Sequence, residues 1–297
     1  AQDLFRNVLP NTSGYDKSWG IGLKLLNDTL VIRATHYDNI QRNAQTNDIN
    51  TLAGRVLRID FRPTGTGNPT PFINLYDNAT HWVQYQNPGW SADQVAAEVA
   101  KQTGFSSADN DFFVNAASVL PIGATSDLHA VGTEIEINYN PTRYWTIQAS
   151  LTDNKTTNEN ISKALVDWID ERLPIWEKIV DPSIADANAI AEGNPNKLWW
   201  LHKYSAVAAT TPASANASYS ATAQTPQANY QAFVGAPLGI IKAQEGKSNP
   251  QVRRYSFRSS TNYQLAGLSD NKWLKRMAVG GAVRWEDKGA IGYYGVQ

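Results

Sequence analysis

The best candidates in this sequence for a catalytic acid and base are three closely spaced carboxylates, Asp167, Asp170 and Glu171. A glycosidase places two such groups on either side of the bond that it cleaves. The same residues also fit the solvated face of a helix, and the helical spacing of the apolar residues around them favours that interpretation. No nucleophile elbow, phosphate-binding loop or zinc motif occurs in the sequence. We therefore expect no catalytic residues and no enzyme activity.

Metal and redox chemistry have no better support in the sequence. The four histidines, His36, His81, His129 and His202, are scattered without the spacing of metal ligands. The chain has no cysteine, which excludes disulfides, thiolate metal sites and cysteine nucleophiles. A formal net charge of -1 does not indicate a nucleic-acid-binding protein. We expect no metal, no cofactor and no nucleic-acid partner.

Amphipathic rings are the most prominent chemical feature, with 10 tryptophans and 13 tyrosines. Such rings suit sugar-binding clefts, interfaces and the aromatic girdles of membrane barrels. Some of them lie in long segments between strand patterns, where they could stack on a ligand. The candidate ligand-binding rings are Trp82, Trp90, Trp199, Trp200 and Tyr204. The alternative for each ring is a small hydrophobic core within its own loop.

The elements that would position these residues are mainly strands, and the clearest strand pattern runs from Val131 to Thr152. Apolar and polar residues alternate on both sides of the turn sequence Asn-Pro-Thr-Arg at 140–143, which is the period of a β-strand. Since a slip of one residue would turn every side chain to the other face, the apolar positions must pair with one another. The predicted cross-strand pairs are Tyr139 with Trp145, Ile137 with Ile147 and Ile135 with Ala149.

Two further hairpins follow the same rule. In the first, a tight turn at Asn27 and Asp28 joins strands whose apolar positions change parity, as a two-residue turn requires. Its predicted pairs are Leu25 with Leu30, Leu23 with Ile32 and Ile21 with Ala34. In the third, the turn lies between Ser269 and Asn271. Arg253 and Asp287, at strand ends away from the short turns, are exceptions to the pattern of charge. The charged residues on the polar side of the three hairpins are Lys24, Arg33, Glu134, Glu136, Arg258, Arg284 and Glu286.

Long segments separate the three hairpins. The hairpins are predicted at about 17–38, 128–156 and 251–288, and the connecting segments at about 39–127 and 157–250. The first segment should contain a helix that Ser91 caps and Gly104 ends. The second should contain a helix that Asn160 caps and that Pro174 interrupts, with its resumption through Ile179 left open. Residues 205–229 are low in complexity and are predicted to form a flexible loop tip.

Parts of the sequence resemble the barrel of TonB-dependent outer-membrane receptors. The resemblance rests on Glu-x-Glu-x-x-Tyr-Asn-Pro-Thr-x-x-Trp at 134–145, Ser-Trp-Gly-Ile-Gly-Leu at 18–23, Leu-Val-Ile-Arg-Ala at 30–34 and Gly-Gly-Ala-Val-Arg-Trp at 280–285. It covers barrel segments only, since no part resembles the family's plug domain or energy-coupling box. It implies an all-β fold in which residues 1–297 form a portion of an antiparallel, up-and-down transmembrane β-barrel. About six strands in three hairpins would carry long, partly helical external loops.

The same resemblance implies a function in nutrient import. Receptors of this family lie in the bacterial outer membrane and take up a siderophore, a cobalamin or a glycan with energy from the inner membrane. The implied partners are outer-membrane lipid, the nutrient, and an inner-membrane energy-coupling protein that acts through a plug region outside this chain. Because six strands cannot close a barrel, we expect the chain to be an interior fragment.

Two other functions remain open at this point. One is a passive porin-like barrel, and the other is a secreted carbohydrate-binding or carbohydrate-active β protein whose uncharged sheet face is a soluble core. The alternation of short turns with long segments favours a barrel, as do two bands of rings. The band near the turns comprises Tyr139, Tyr144, Trp145, Tyr263 and Trp273. The opposite band comprises Tyr37, Tyr255 and Trp285.

Overall fold

The computed structural model describes residues 1–45, 47–61, 74–119, 122–205, 219–250 and 252–293. It contains a six-stranded antiparallel sheet in which each strand pairs with the next along the chain. The strands are β1 (Ser13–Leu25), β2 (Leu30–Gln45), β3 (Thr125–Thr142), β4 (Trp145–Glu159), β5 (Tyr255–Gln264) and β6 (Ala278–Glu286). The connections β1–β2, β3–β4 and β5–β6 all lie at one end of the sheet, as predicted.

The two long connections, at the other end, are largely helical. Between β2 and β3 lie α1 (Asn47–Asp60), α2 (Leu75–Gln86), α3 (Ala92–Thr103) and α4 (Ser107–Val119). Between β4 and β5 lie α5 (Lys163–Lys178), α6 (Asp186–Glu192), α7 (Pro226–Tyr230) and α8 (Ala236–Lys242). A short 3-10 helix, Trp199–Leu201, follows α6, and a π-helical turn, Gln231–Gly235, joins α7 to α8. Among the described residues, no helix combines the length and the apolar character that a membrane crossing needs.

Only two of these helices were expected from the sequence. For α3 the prediction is confirmed, since Ser91 and Gln94 form a reciprocal capping box and Gly104 ends the helix with a φ of 81°. For α5 the predicted start and interruption are wrong. Asn160 does not cap the helix, because its side chain donates to Asp127 instead, and the helix continues through Pro174 to Lys178.

Three of the remaining helices, α1, α2 and α4, were missed for a common reason. Their sequences are rich in Asn and Asp, which favour turns as much as helices when judged locally. What stabilises α1 is tertiary packing, since Leu52, Val56 and Leu57 are buried in the main core. Of the predicted loop tip at 205–229, residues 206–218 lie outside the described residues, and α7 begins at Pro226.

The first hairpin has the register that the sequence predicts. Leu25 pairs with Leu30, Leu23 with Ile32 and Ile21 with Ala34. The turn residues Leu26, Asn27 and Asp28 all have a positive φ, between 53° and 65°. Asn and Asp tolerate that left-handed conformation better than most residues do, which is why this pair was recognisable as a turn.

The register predicted for the central hairpin is wrong by two residues. Tyr139 pairs with Ile147, Ile137 with Ala149 and Ile135 with Leu151. Thr142 pairs with Trp145, and the register shifts between Tyr139 and Thr142. The irregularity coincides with Pro141, which has no N–H to give to a ladder, while the neighbouring Asn140 N–H donates to the Thr29 carbonyl at 2.7 Å. A shift of two keeps every side chain on its predicted face.

The third hairpin has a longer connection than the sequence indicated. Phe257 pairs with Trp285, and the last pair is Gln264 with Ala278. The connection contains two 3-10 turns, Leu265–Gly267 and Leu274–Arg276, on either side of the predicted turn residues. Within it, the Lys275 ammonium lies 2.6 Å from the Asp270 carboxylate.

The hydrophobic core lies among the helices and not on the sheet. None of the buried apolar residues in this core belongs to a strand. One part is a group of stacked and edge-on rings, Phe61, Phe105, Phe113 and Trp168. Another joins Trp176, Trp200 and Tyr230. We call the helices of the two long connections, α1 to α8, the helical layer. This layer therefore folds on a core of its own, beside the end of the sheet that carries the long connections.

Candidate functional site

One face of the sheet is apolar and uncovered. The register aligns one residue from each strand in a row across this face: Ile21, Ala34, Ile135, Leu151, Phe257 and Trp285. The most open side chains lie on the edge strands, with Trp19 70% exposed and Val279 61% exposed. We call this surface, formed by the apolar positions of β1 to β6, the apolar face. An exposed apolar surface of this extent is typical of a binding or membrane contact.

The apolar face ends in polar groups towards the helical layer. There His129 of β3 lies between two carboxylates, with Nε2 2.8 Å from Asp38 and Nδ1 3.4 Å from Glu159. On the edge strand, Lys17 pairs in register with Asp38. Towards the turns, the Trp145 and Tyr263 rings meet at a centroid distance of 6.2 Å. The uncharged part of the face is thus a band with rings at its turn end.

The opposite face of the sheet carries the charges. Its row across the sheet runs through Arg33, Glu136, Ser150, Arg258 and Arg284. Arg284 donates from Nε to Glu286 at 2.8 Å. A cavity of about 480 Å³ lies along this face, lined among others by Glu136, Gln148, Arg258 and Arg284. Tyr37, predicted in an aromatic band with Tyr255 and Trp285, lies on this charged side, because its register partners are Ser18 and Gly132.

Four of the five candidate ligand-binding rings are buried in the helical layer. Trp82 is 1% exposed, and its Nε1 donates to Gln102 at 2.7 Å. Trp199 and Trp200 are buried and have their ring centroids 5.8 Å apart. Tyr204 is buried and donates from its hydroxyl to Asp181 at 2.6 Å. These four rings have no free face for a ligand in this structure, which favours the alternative of loop cores.

Trp90 is the candidate ring that remains open. It follows α2 and is 42% exposed. Its backbone N–H donates to the Asn87 carbonyl at 3.0 Å, so the turn that carries the ring is hydrogen-bonded. The structure does not bring Trp90 together with the other four rings in a single cleft, since those rings are enclosed in the core.

The three carboxylates lie on α5, where Asp170 and Glu171 are exposed. Asp167 is paired with Lys163 one turn earlier, at 2.6 Å. This arrangement is that of a solvated helix face. The described part of the chain contains no cluster of three or more histidine and carboxylate side chains suited to a metal ion.

No family model and no curated protein matches this chain. Similar solved structures include the FpvAI–pyocin S2 complex, at 10% identity and a TM-score of 0.36, and Pseudomonas aeruginosa FpvA bound to heterologous pyoverdines, at 10% and 0.37. Another is the alcaligin outer membrane receptor FauA from Bordetella pertussis, at 12% and 0.35. Each match covers 97% of this chain but only 19%, 19% and 24% of the respective structures. At these TM-scores the likeness carries no argument about function.

Proposed function

We propose that this chain forms part of the wall and external loops of an outer-membrane β-barrel receptor for a scarce nutrient. The observation that supports the proposal best is the apolar face, which is continuous across six strands and contributes no residue to the protein's own hydrophobic core. A soluble sandwich would bury such a face against a second layer. Lipid would cover the uncharged band of this face, as it does on the outside of outer-membrane barrels.

The edges of the sheet support a larger barrel. In the described residues, β1 pairs only with β2 and β6 only with β5, so each edge strand has an open row of backbone groups. In lipid such groups must be satisfied within the protein, because no water is there to bond them. Further strands from the same protein would close the wall around the charged face, which then lines the lumen.

The helical layer fits the side from which a nutrient would arrive. Short turns at one end of a sheet and long connections at the other are the arrangement of outer-membrane barrels, whose long loops are external. Trp90 is the candidate ring exposed for stacking on such a ligand. The nutrient class, a siderophore, cobalamin or glycan, and energy coupling through a plug region follow from the sequence resemblance to TonB-dependent receptors.

Cysteine labelling of the full-length protein tests the membrane assignment. The chain has no native cysteine, so single cysteines can be introduced without interference. Cysteines at Ile137, Ile147 and Phe257 should react with a probe dissolved in lipid. Cysteines at the neighbouring positions Asn138, Gln148 and Arg258 should react only with a water-soluble probe. Equal labelling of the two sets, or an apolar set that lipid probes cannot reach, contradicts a membrane barrel.

Uptake measurements separate a receptor from a passive porin. Cells that carry the protein should lose nutrient uptake when a protonophore dissipates the inner-membrane potential, because import by a TonB-dependent receptor draws on that energy. Uptake that persists unchanged would favour the porin-like alternative. The labelling result would be the same in both cases, so the two experiments test different parts of the proposal.

A further inference from the structure

Helix α1 presents a basic, glycine-containing face to solvent. Its opposite face is buried through Leu52, Val56 and Leu57. At 3.6 residues per turn, the stripe away from the core carries Asn50, Thr51, Gly54, Arg55 and Arg58. These five residues line a cavity of about 480 Å³, which lies in the size range of small-molecule sites. We call this cavity the α1 groove.

One guanidinium in the groove is held in place by the neighbouring π-helical turn. Arg55 donates from Nη1 to the Phe233 carbonyl at 3.2 Å. Its guanidinium carbon lies 5.8 Å from the centre of the Phe233 ring. A cation fixed in this way is oriented before a ligand arrives, which lowers the entropic cost of binding.

The second guanidinium has no partner in the part of the chain that the structure describes. Among the described residues, Arg58 makes no hydrogen bond and no ion pair. The nearest acidic residue in sequence, Asp60, is turned into the core, where it pairs with Arg172. Two cations one turn apart therefore share a cavity, and none of the described residues that line it is a carboxylate. Such a pair of guanidinium groups suits the oxygens of a carboxylate or a phosphate.

The glycine at the floor of the groove points to a close approach. Gly54 lies in the interior of α1, where glycine is less stable than alanine. A Cβ built at this position would meet no atom within 4 Å, so packing against the described residues does not require glycine there. The absent side chain leaves the helix backbone open between Asn50 and Arg58. The open backbone at Gly54 gives a ligand room to approach the helix closely.

We propose that the α1 groove binds a small molecule through its carboxylate or phosphate oxygens, with Arg55 and Arg58 as the cationic contacts. Asn50 and Thr51 line the same cavity, where the Asn50 side-chain oxygen also accepts from the Ala124 N–H at 3.2 Å. That the groove binds an anion is inferred from its geometry alone. That this anion is the imported nutrient rests also on the proposed function.

Calorimetric titration of the full-length protein in detergent, with citrate and separately with inorganic phosphate, tests the groove. The Arg58→Ala variant should bind the effective anion about tenfold more weakly, the loss expected for one charge-assisted contact. Arg143→Ala removes the same charge at the opposite end of the sheet and should leave the affinity unchanged. Equal affinity in the Arg58→Ala variant and the native protein overturns the inference, as does the absence of binding by both anions.

Gly54→Ala separates loss of the site from loss of the fold. Alanine should raise the thermal stability of α1, because it is the better helix former, yet it should weaken anion binding by filling the floor of the groove. If Gly54→Ala binds the anion with native affinity, the inference that the anion approaches the helix closely at Gly54 is wrong. The two proposals can fail separately. If anion binding depends on Arg58 but the apolar positions are not labelled from lipid, the binding site is supported and the membrane function is contradicted.

Discussion

Arg172 of α5 and Asp60 of α1 form a buried ion pair, with Nε 3.1 Å from Oδ2 and side chains that are 6% and 1% exposed. The Trp176 indole also donates to Asp60, at 2.9 Å. On its other side, Arg172 donates to the Thr103 carbonyl at 2.7 Å and lies over the Phe105 ring. One carboxylate and one guanidinium thus join the two long connections of the sheet.

Replacing Arg172 by leucine should destabilise the helical layer by about 3 to 5 kcal/mol, since Asp60 would remain as a buried charge without its partner. Urea unfolding followed by tryptophan fluorescence measures the change. Lys163→Ala is the matched control on the same helix, because its pair with Asp167 is exposed and should contribute no more than about 0.5 kcal/mol. A loss below about 1 kcal/mol for Arg172→Leu would show that the pair adds little to the fold.

Gly132→Ala should destabilise the sheet by about 1 to 3 kcal/mol, the cost of overpacking. A Cβ at Gly132 would clash with the Asp153 carbonyl oxygen and would lie 2.5 Å from the Tyr37 hydroxyl oxygen. Gly22 of β1 is the control, because a Cβ there meets nothing within 4 Å. Thermal unfolding of the refolded protein should therefore separate Gly132→Ala from a nearly neutral Gly22→Ala. Equal effects of the two substitutions would contradict the close contact of Tyr37 with Gly132.

On the proposed function, Ile147→Arg should destabilise the refolded protein by about 1 to 3 kcal/mol, and Gln148→Arg by much less. Ile147 lies on the apolar face between Tyr139 and Thr261, whereas Gln148 lies on the charged face between Asn138 and Ser260. A lipid-facing arginine must be desolvated, while a lumen position tolerates charge. The measurement is urea unfolding in lipid vesicles. Similar losses for both variants would indicate that the two faces have similar surroundings.

The stability of the helical layer should fall at alkaline pH because of Tyr204. Burial, and then the Asp181 carboxylate, raises the pKa of Tyr204 well above its ordinary value of 10.0. The unfolded chain releases this proton near pH 10 while the folded chain keeps it, so each further pH unit favours unfolding by up to about 1.4 kcal/mol. The stabilisation is complete below the unfolded pKa and is lost as the pH rises towards the folded pKa.

Comparison with Tyr204→Phe isolates this effect from other tyrosines. Near neutral pH the variant should be less stable by about 1 to 3 kcal/mol, since Asp181 loses its hydroxyl donor. The difference in unfolding free energy between the two proteins should shrink between about pH 10 and about pH 11. A difference that stays constant over this interval would mean that Tyr204 does not link unfolding to proton release.

The sequence alone was sufficient for features that depend on neighbouring residues. Period-two alternation assigned side chains to the two faces of β1, β3 and β4, and the Asn27–Asp28 turn predicted the first register. The capping residues of α3 were likewise recognisable, because a cap and its helix are adjacent in sequence. Even the two-residue error in the central hairpin preserved the faces, since an even shift does not change which side a residue occupies.

What only the tertiary structure decided depends on contacts between distant segments. The Asp60–Arg172 pair joins residues 112 positions apart, and no local pattern marks either residue as buried. The same limit applies to Trp82 and Trp90, which are alike in type and in loop position yet differ in exposure, at 1% and 42%. Whether a loop tryptophan enters a core depends on which helices pack around it. Sequence periodicity therefore determined the faces of the sheet, while long-range packing decided the register at Pro141, the helical core and the rings left open to a ligand.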